Sequence, residues 1–233
     1  MKILAEGLLW YIVFILSTTL HEASHAFAAL KLGDRTAYEG GQVTLDPLVH
    51  IKREPLGTIV VPFVSFLMGG WMIGWASVPF DIQWAYDNPR ASAKMSAAGP
   101  AANLFLVILA ALTIRIGILA GIFAAPESVN YDHIVDAVGN GFLNSFASFI
   151  NVFFCLNLIL FIFNLIPLPP LDGSGILPLF LDKNRARNYI DYVRNGAFSI
   201  AGIVIAWFVF DYIYGPIHLL FVNILYYPIA HYQ

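Results

Sequence analysis

Charge is what this sequence has least of. Only 12% of its 233 residues are Asp, Glu, Lys or Arg, while 59% are apolar and the mean hydropathy is +0.73. A soluble globular domain carries about 45–50% apolar and about 25% charged residues, so the composition excludes one and points to a protein dissolved in lipid. Basic clusters are missing as well. The 12 Lys and Arg are outnumbered by 15 Asp and Glu and are scattered over short segments, which excludes nucleic acid as a partner. Cysteine is almost absent: Cys155 stands alone in an apolar run, cannot close an internal disulfide, and reads as a small buried hydrophobe. No polar linker, internal repeat or low-complexity tract interrupts the chain, so 1–233 is expected to form one integral-membrane domain. The first apolar run continues for about 25 residues without a small-residue cleavage site, which predicts a retained helix rather than a signal peptide.

What is present is a series of long apolar segments. Residues 5–32, 97–123 and 142–168 are each long enough to span a bilayer as a helix. Residues 197–214 and 217–230 read as two further membrane segments hinged at Gly215-Pro216. The run 56–78 is apolar but carries Pro62, Gly69, Gly70 and Gly74, which suits either a crossing or an irregular hairpin that enters and returns. Between them, 33–55 turns polar, and Gly40-Gly41-Gln42-Val43-Thr44-Leu45 has strand character. The expected fold class is thus an all-α polytopic bundle of five or six membrane segments, with a small β-hairpin or sheet after the first helix.

The chemistry begins at His21-Glu22-Ala23-Ser24-His25, near the end of the first span. On a helix, histidines four residues apart share a face and can hold one zinc ion, with Glu22 beside them as general base. Ionisable groups inside a spanning segment cost about 2.5–3.5 kcal/mol each on insertion scales, so such a cluster points to function rather than to a solvated surface. A catalytic zinc needs a third protein ligand and an open fourth position. The acid available at membrane depth is Asp172, in Asn164-Leu165-Ile166-Pro167-Leu168-Pro169-Pro170-Leu171-Asp172-Gly173. Those prolines break the helix, and in lipid a broken helix is tolerated only where it is buried in protein or lines a wet cavity.

These motifs together resemble the site-2 protease family of intramembrane metalloproteases, peptidase family M50. Its Asn-x-x-Pro-x-x-Pro-Leu-Asp-Gly segment is matched by Asn164, Pro167, Pro170, Leu171, Asp172 and Gly173, and its Gly-Pro-x-x-Asn signature by Gly99, Pro100 and Asn103. Gly33-Asp34-Arg35-Thr36-Ala37 and Thr44-Leu45-Asp46-Pro47 extend the likeness, with Asp46 standing where the family more often has Asn. The resemblance implies that His21, His25 and Asp172 bind one Zn²⁺ and that Glu22 activates water. It also suggests that Asn164 donates a hydrogen bond to the oxyanion. Asn103 sits among Gly99, Ala101 and Ala102, small residues that let helices approach, so it is expected to bond across a helix interface near the site. Further soluble modules of the kind some members add are not read in this sequence. The catalytic core would then occupy about 5–175, and 197–231 would serve as a lateral gate.

The expected activity is hydrolysis of peptide bonds in transmembrane protein substrates, by a multi-pass protein of a prokaryotic plasma membrane. An exposed strand at 40–45 would pair with the unwound substrate. Two other readings share some of these features: a membrane-embedded zinc protease acting on soluble peptides or membrane-protein ends, and a metal-binding transporter. The transporter would need coordinating groups along a path rather than one ligand set with one base. Lys and Arg are richest after the first helix and after Asp172, with fewer in 79–96 and none in 126–140. By the positive-inside tendency all three basic loops are cytoplasmic if 56–78 dips in and returns, which is the preferred topology.

Overall fold

Apolar runs must satisfy their backbone groups internally when they enter lipid, which in a chain of this kind means long helices. The computed structural model describes residues 2–194 and 197–233. Its elements in chain order are α1 (Lys2–Leu32), α2 (Thr36–Glu39), α3 (Pro47–Arg53), a π-helical turn at Leu56–Val60, α4 (Val61–Gly69), α5 (Ile82–Asp87) and α6 (Pro89–Leu119). There follow β1 (Phe123–Ala124), β2 (Asp136–Ala137), α7 (Phe142–Leu165), α8 (Asp172–Ile176), a 3₁₀ turn at Leu177–Phe180, α9 (Lys183–Arg194) and α10 (Ala197–Tyr226). Four of these, α1, α6, α7 and α10, are long and apolar enough to cross a membrane. At 31 residues, α1 and α6 reach about 46 Å, more than the hydrocarbon thickness of about 30 Å, so their ends extend beyond the lipid core or the helices tilt.

Helix α6 is the hub, packed most extensively on α1 and α7. Small residues make the α1–α6 contact close: Ala23, Ala26 and Ala29 on α1 and Ala93 and Gly99 on α6 are all buried. In lipid, where the hydrophobic effect does not drive helices together, such close packing is a main source of association. On the outward faces, Leu4, Leu8, Ile12 and Leu16 of α1 and Phe105, Ile108, Leu112 and Ile116 of α6 are exposed, as lipid-facing stripes should be.

The bundle agrees with the expected fold class; one open choice is narrowed by the structure, and two details differ from expectation. Residues 56–78 do not cross. The chain rises through the π turn and α4, then returns without helix. The returning arm is tied to the rising one by Ile73 N–H to Ser65 Oγ (3.0 Å), Trp75 N–H to the Gly57 carbonyl (3.1 Å) and Ser77 Oγ to Glu54 Oε1 (2.6 Å). The π turn and α4 amount to 14 residues, about 21 Å, too short to cross. Residues 56–78 thus take the hairpin form of the preferred topology, and among the described residues four helices are long and apolar enough to cross.

Residues 40–45 form turns and bends with no strand partner, and the small antiparallel sheet lies instead between α6 and α7, pairing Phe123 with Ala137 and Ala124 with Asp136. Asn151 of α7 anchors that loop by accepting the Ile134 and Val135 N–H groups (2.7 and 2.9 Å). Finally, α10 runs unbroken through Gly215-Pro216, so 197–214 and 217–230 are not two segments. Carrying a proline inside a helix removes one backbone bond, whereas opening the helix in lipid would strip several.

Three basic loops meet at one end of the bundle. Asp34, after α1, accepts the N–H of Asp81, before α5 (2.9 Å). Arg187 of α9 pairs with Asp87 (2.9 Å) and donates to the Tyr86 carbonyl (3.1 Å).

Candidate metal centre

Helix α1 presents His21 and His25 one turn apart, both buried, with ring centroids 4.7 Å from each other. The third group arrives from the far side of the chain. After α7 ends at Leu165, the proline-rich turn closes through Leu171 N–H to the Leu168 carbonyl (2.9 Å), and α8 begins with Asp172. Gly173 is required there: a Cβ on it would stand 2.4 Å from the Leu165 carbonyl oxygen, so any side chain would push Asp172 off the end of α7.

His21 Nε2 lies 3.0 Å from Asp172 Oδ2, His25 Nε2 lies 3.3 Å from the same oxygen, and the two Nε2 atoms are 3.0 Å apart. His25 Nδ1 faces the Met95 carbonyl at 2.8 Å, which can only accept, so Nδ1 carries a proton and Nε2 is the nitrogen turned toward the cluster. His21 Nδ1 faces Asn103 Oδ1 at 2.5 Å with the same result. Two ring nitrogens and a carboxylate oxygen thus converge on one point, each able to offer a lone pair to a shared cation. Ligands about 2.0–2.2 Å from a tetrahedral zinc are separated by about 3.3 Å, so the observed triangle fits that ion with little movement. Among the described residues, His21, His25 and Asp172 form the one group of three such side chains with ligand atoms this close, all within 4.8 Å.

Gly99 of α6 packs over the site. A Cβ built there would fall 2.4 and 2.3 Å from the Nε2 atoms of His21 and His25, close to coordination distance from both. The glycine leaves the space that the cation needs. Glu22, also buried, makes no hydrogen bond to another described residue, and its carboxylate is uncommitted. On the face of α1 that carries Leu20, Ser24 and Phe27, an apolar groove of about 520 Å³ is lined by these residues with Ala98 and Ala101 of α6 and Val43–Leu45, and not by His21, Glu22, His25 or Asp172.

Not every expected residue joins the cluster. Asn164, half-buried, donates one amide proton to the Leu160 carbonyl (3.0 Å) and bonds to none of the three. Asn103 does more than bridge helices, since it touches His21 directly. Its amide continues to Asn157 Oδ1 (2.9 Å), and Asn157 donates to Ser17 Oγ (2.9 Å) and to the Phe153 carbonyl (2.7 Å). Asn157 and Ser17 were missed in the sequence. Asn157 carried a usable signal, as an amide in the middle of a spanning run.

The model of peptidase family M50 matches residues 9–209. A Bacillus subtilis (strain 168) protein named "Putative zinc metalloprotease YwhC" is 36% identical over 172 residues, covering 71% of this chain and 66% of that protein. "Putative zinc metalloprotease Rip2" of Mycolicibacterium smegmatis is 29% identical over 174 residues, covering 75% and 58%. The protein of the same name from Mycobacterium tuberculosis (H37Rv) is 29% identical over 164 residues, covering 70% and 54%. The chain thus spans between about half and two thirds of the length of these relatives. No solved structure matches it.

Proposed function

The chain belongs to peptidase family M50, and on that premise we propose that it is an intramembrane zinc metalloendopeptidase that hydrolyses peptide bonds of membrane-spanning proteins. The observation that carries this reading is the convergence of His21 Nε2, His25 Nε2 and Asp172 Oδ2 to within 3.3 Å, inside a helical bundle, with the free carboxylate of Glu22 on the same helix. Zinc held by these three residues supplies Lewis acidity and water of lowered pKa. Glu22 takes the proton of the attacking water and returns it to the leaving amine. Asn164 keeps a second amide proton available for the developing oxyanion.

The substrate class follows from the surroundings. The groove on the Leu20, Ser24 and Phe27 face of α1 is apolar and flanked by lipid-facing helix surfaces, which suits a segment delivered from the membrane. Val43, Thr44 and Leu45 donate no backbone hydrogen bond among the described residues and form one wall of that groove. They offer main-chain groups to an unwound peptide without needing to be a strand beforehand. A single metal cluster among the described residues favours hydrolysis over transport, which would spread coordinating groups along a path. Ten of the twelve Lys and Arg lie toward the metal-centre end of the bundle, Lys2 and Arg115 being the exceptions, so we place that end in the cytoplasm of a prokaryote.

The test is Glu22→Gln in the full chain. The variant should retain one zinc per chain, lose about 10²–10⁴-fold in cleavage, and hold uncut membrane proteins that can be recovered with it. Cleavage that survives the substitution rejects the assigned base, and trapped soluble peptides in place of membrane proteins reject the substrate class.

A further inference from the structure

The two histidines of the centre are oriented by different means. His25 is held by the backbone of α6, through the Met95 carbonyl. His21 is held by a side-chain chain that runs through Asn103 of α6 to Asn157 of α7. An amide can be turned over, exchanging its donor and acceptor ends, so the direction of such a chain needs a fixed reference.

The Phe153 carbonyl is that reference. It only accepts, so the Asn157 atom 2.7 Å away must be Nδ2. Asn157 Oδ1 then faces Asn103 at 2.9 Å and requires Nδ2 there. Asn103 in turn presents Oδ1 to His21, whose Nδ1 must carry a proton, leaving Nε2 as the nitrogen that can bind a metal. The Ser17 hydroxyl, 2.9 Å from Asn157, can accept or donate and so does not decide the direction. Ser17, Asn103 and Asn157 are each 0% exposed, so water cannot take over a broken step.

We infer that Asn157 and Asn103 are positioning residues that hold His21 in the tautomer with Nε2 free, with the polarity set by the backbone of α7. This inference rests on the zinc reading above. Zinc affinity then depends on a helix that contributes none of the three proposed ligands. Partners of metal-bound histidine typically contribute about 10–100-fold in metal affinity or activity.

The experiment uses the full chain purified in detergent, with zinc affinity measured by competition against a chromophoric chelator. Asn157→Leu should weaken zinc about 10–100-fold. The double variant Asn103→Leu/Asn157→Leu should be no weaker than Asn103→Leu alone, because Asn157 acts only through Asn103. Asn103→Asp placed in the Asn157→Leu background should recover most of the affinity, since a carboxylate accepts from His21 Nδ1–H whatever lies behind it. Unchanged affinity in Asn157→Leu, additive losses, or no recovery would each overturn the inference. Should Asn157→Leu fail to fold, nitrogen-15 spectra of the zinc-loaded natural chain decide the matter: His21 must bind the metal through Nε2 with its proton on Nδ1, and binding through Nδ1 overturns the inference. A natural chain that binds no zinc through His21 defeats the zinc reading itself, and this inference with it.

Discussion

Helices α7 and α10 are both apolar enough to cross the membrane, yet their most apolar stretches are 56% and 22% buried within the protein, respectively. Helix α7 is locked by polar side chains: Asn151 anchors the loop carrying β2, and Asn157 reaches to α1 and α6. Helix α10 leans on aromatic contacts such as Trp207 with Trp71 at the tip of the re-entrant hairpin, while Ile200, Val204, Ile205, Phe208 and Tyr212 face outward. The difference shows how apolar helices are given distinct roles in lipid. A few buried amides fix the middle of α7 to the site, whereas α10 is tied by polar contacts near its C-terminal end, through Tyr226 to the Ile134 carbonyl (2.6 Å) and Arg115 to the Leu225 carbonyl (3.1 Å), and its N-terminal half lies at the edge.

That contrast can be broken most severely at the metal centre, which the locked helices hold in place. Gly99→Ala places a methyl close to coordination distance from both histidines, so the variant should bind no zinc and show no cleavage, while α6 gains helix propensity and the chain folds. Metal analysis of the purified variant checks this, and normal zinc content would show that the site sits elsewhere.

Asn164→Ala asks whether the end of α7 also acts on the substrate. It should lower kcat about 10²-fold, the lower part of the range for an oxyanion donor, with zinc content unchanged. An unchanged kcat would mean that this amide serves only the Leu160 carbonyl.

The mildest test compares packing. Leu156→Ala on α7, where the side chain is 1% exposed, should destabilise the protein by about 2–5 kcal/mol, by analogy with buried leucines elsewhere. Ile203→Ala on α10, 44% exposed, should cost no more than about 0.5 kcal/mol. Unfolding in mixed detergent would measure both, and equal losses would show that α10 is as firmly packed as α7.

Much of this protein was legible locally. Apolar length announced membrane helices, the four-residue spacing of His21 and His25 placed two imidazoles on one face, and the distribution of Lys and Arg favoured a hairpin that returns. These are properties of one helix turn or one loop, carried by neighbouring residues. The tertiary structure decided the rest: that 40–45 lines a groove without being a strand, that α10 continues through Pro216, and that Asn157 reaches His21 through Asn103. Asn157 and its partners lie 54 and 140 positions apart, and which buried amide meets which acceptor is set by helix packing rather than by local spacing. Once water is excluded, the surviving set of donors and acceptors has to close on itself, and only the assembled bundle shows how it does.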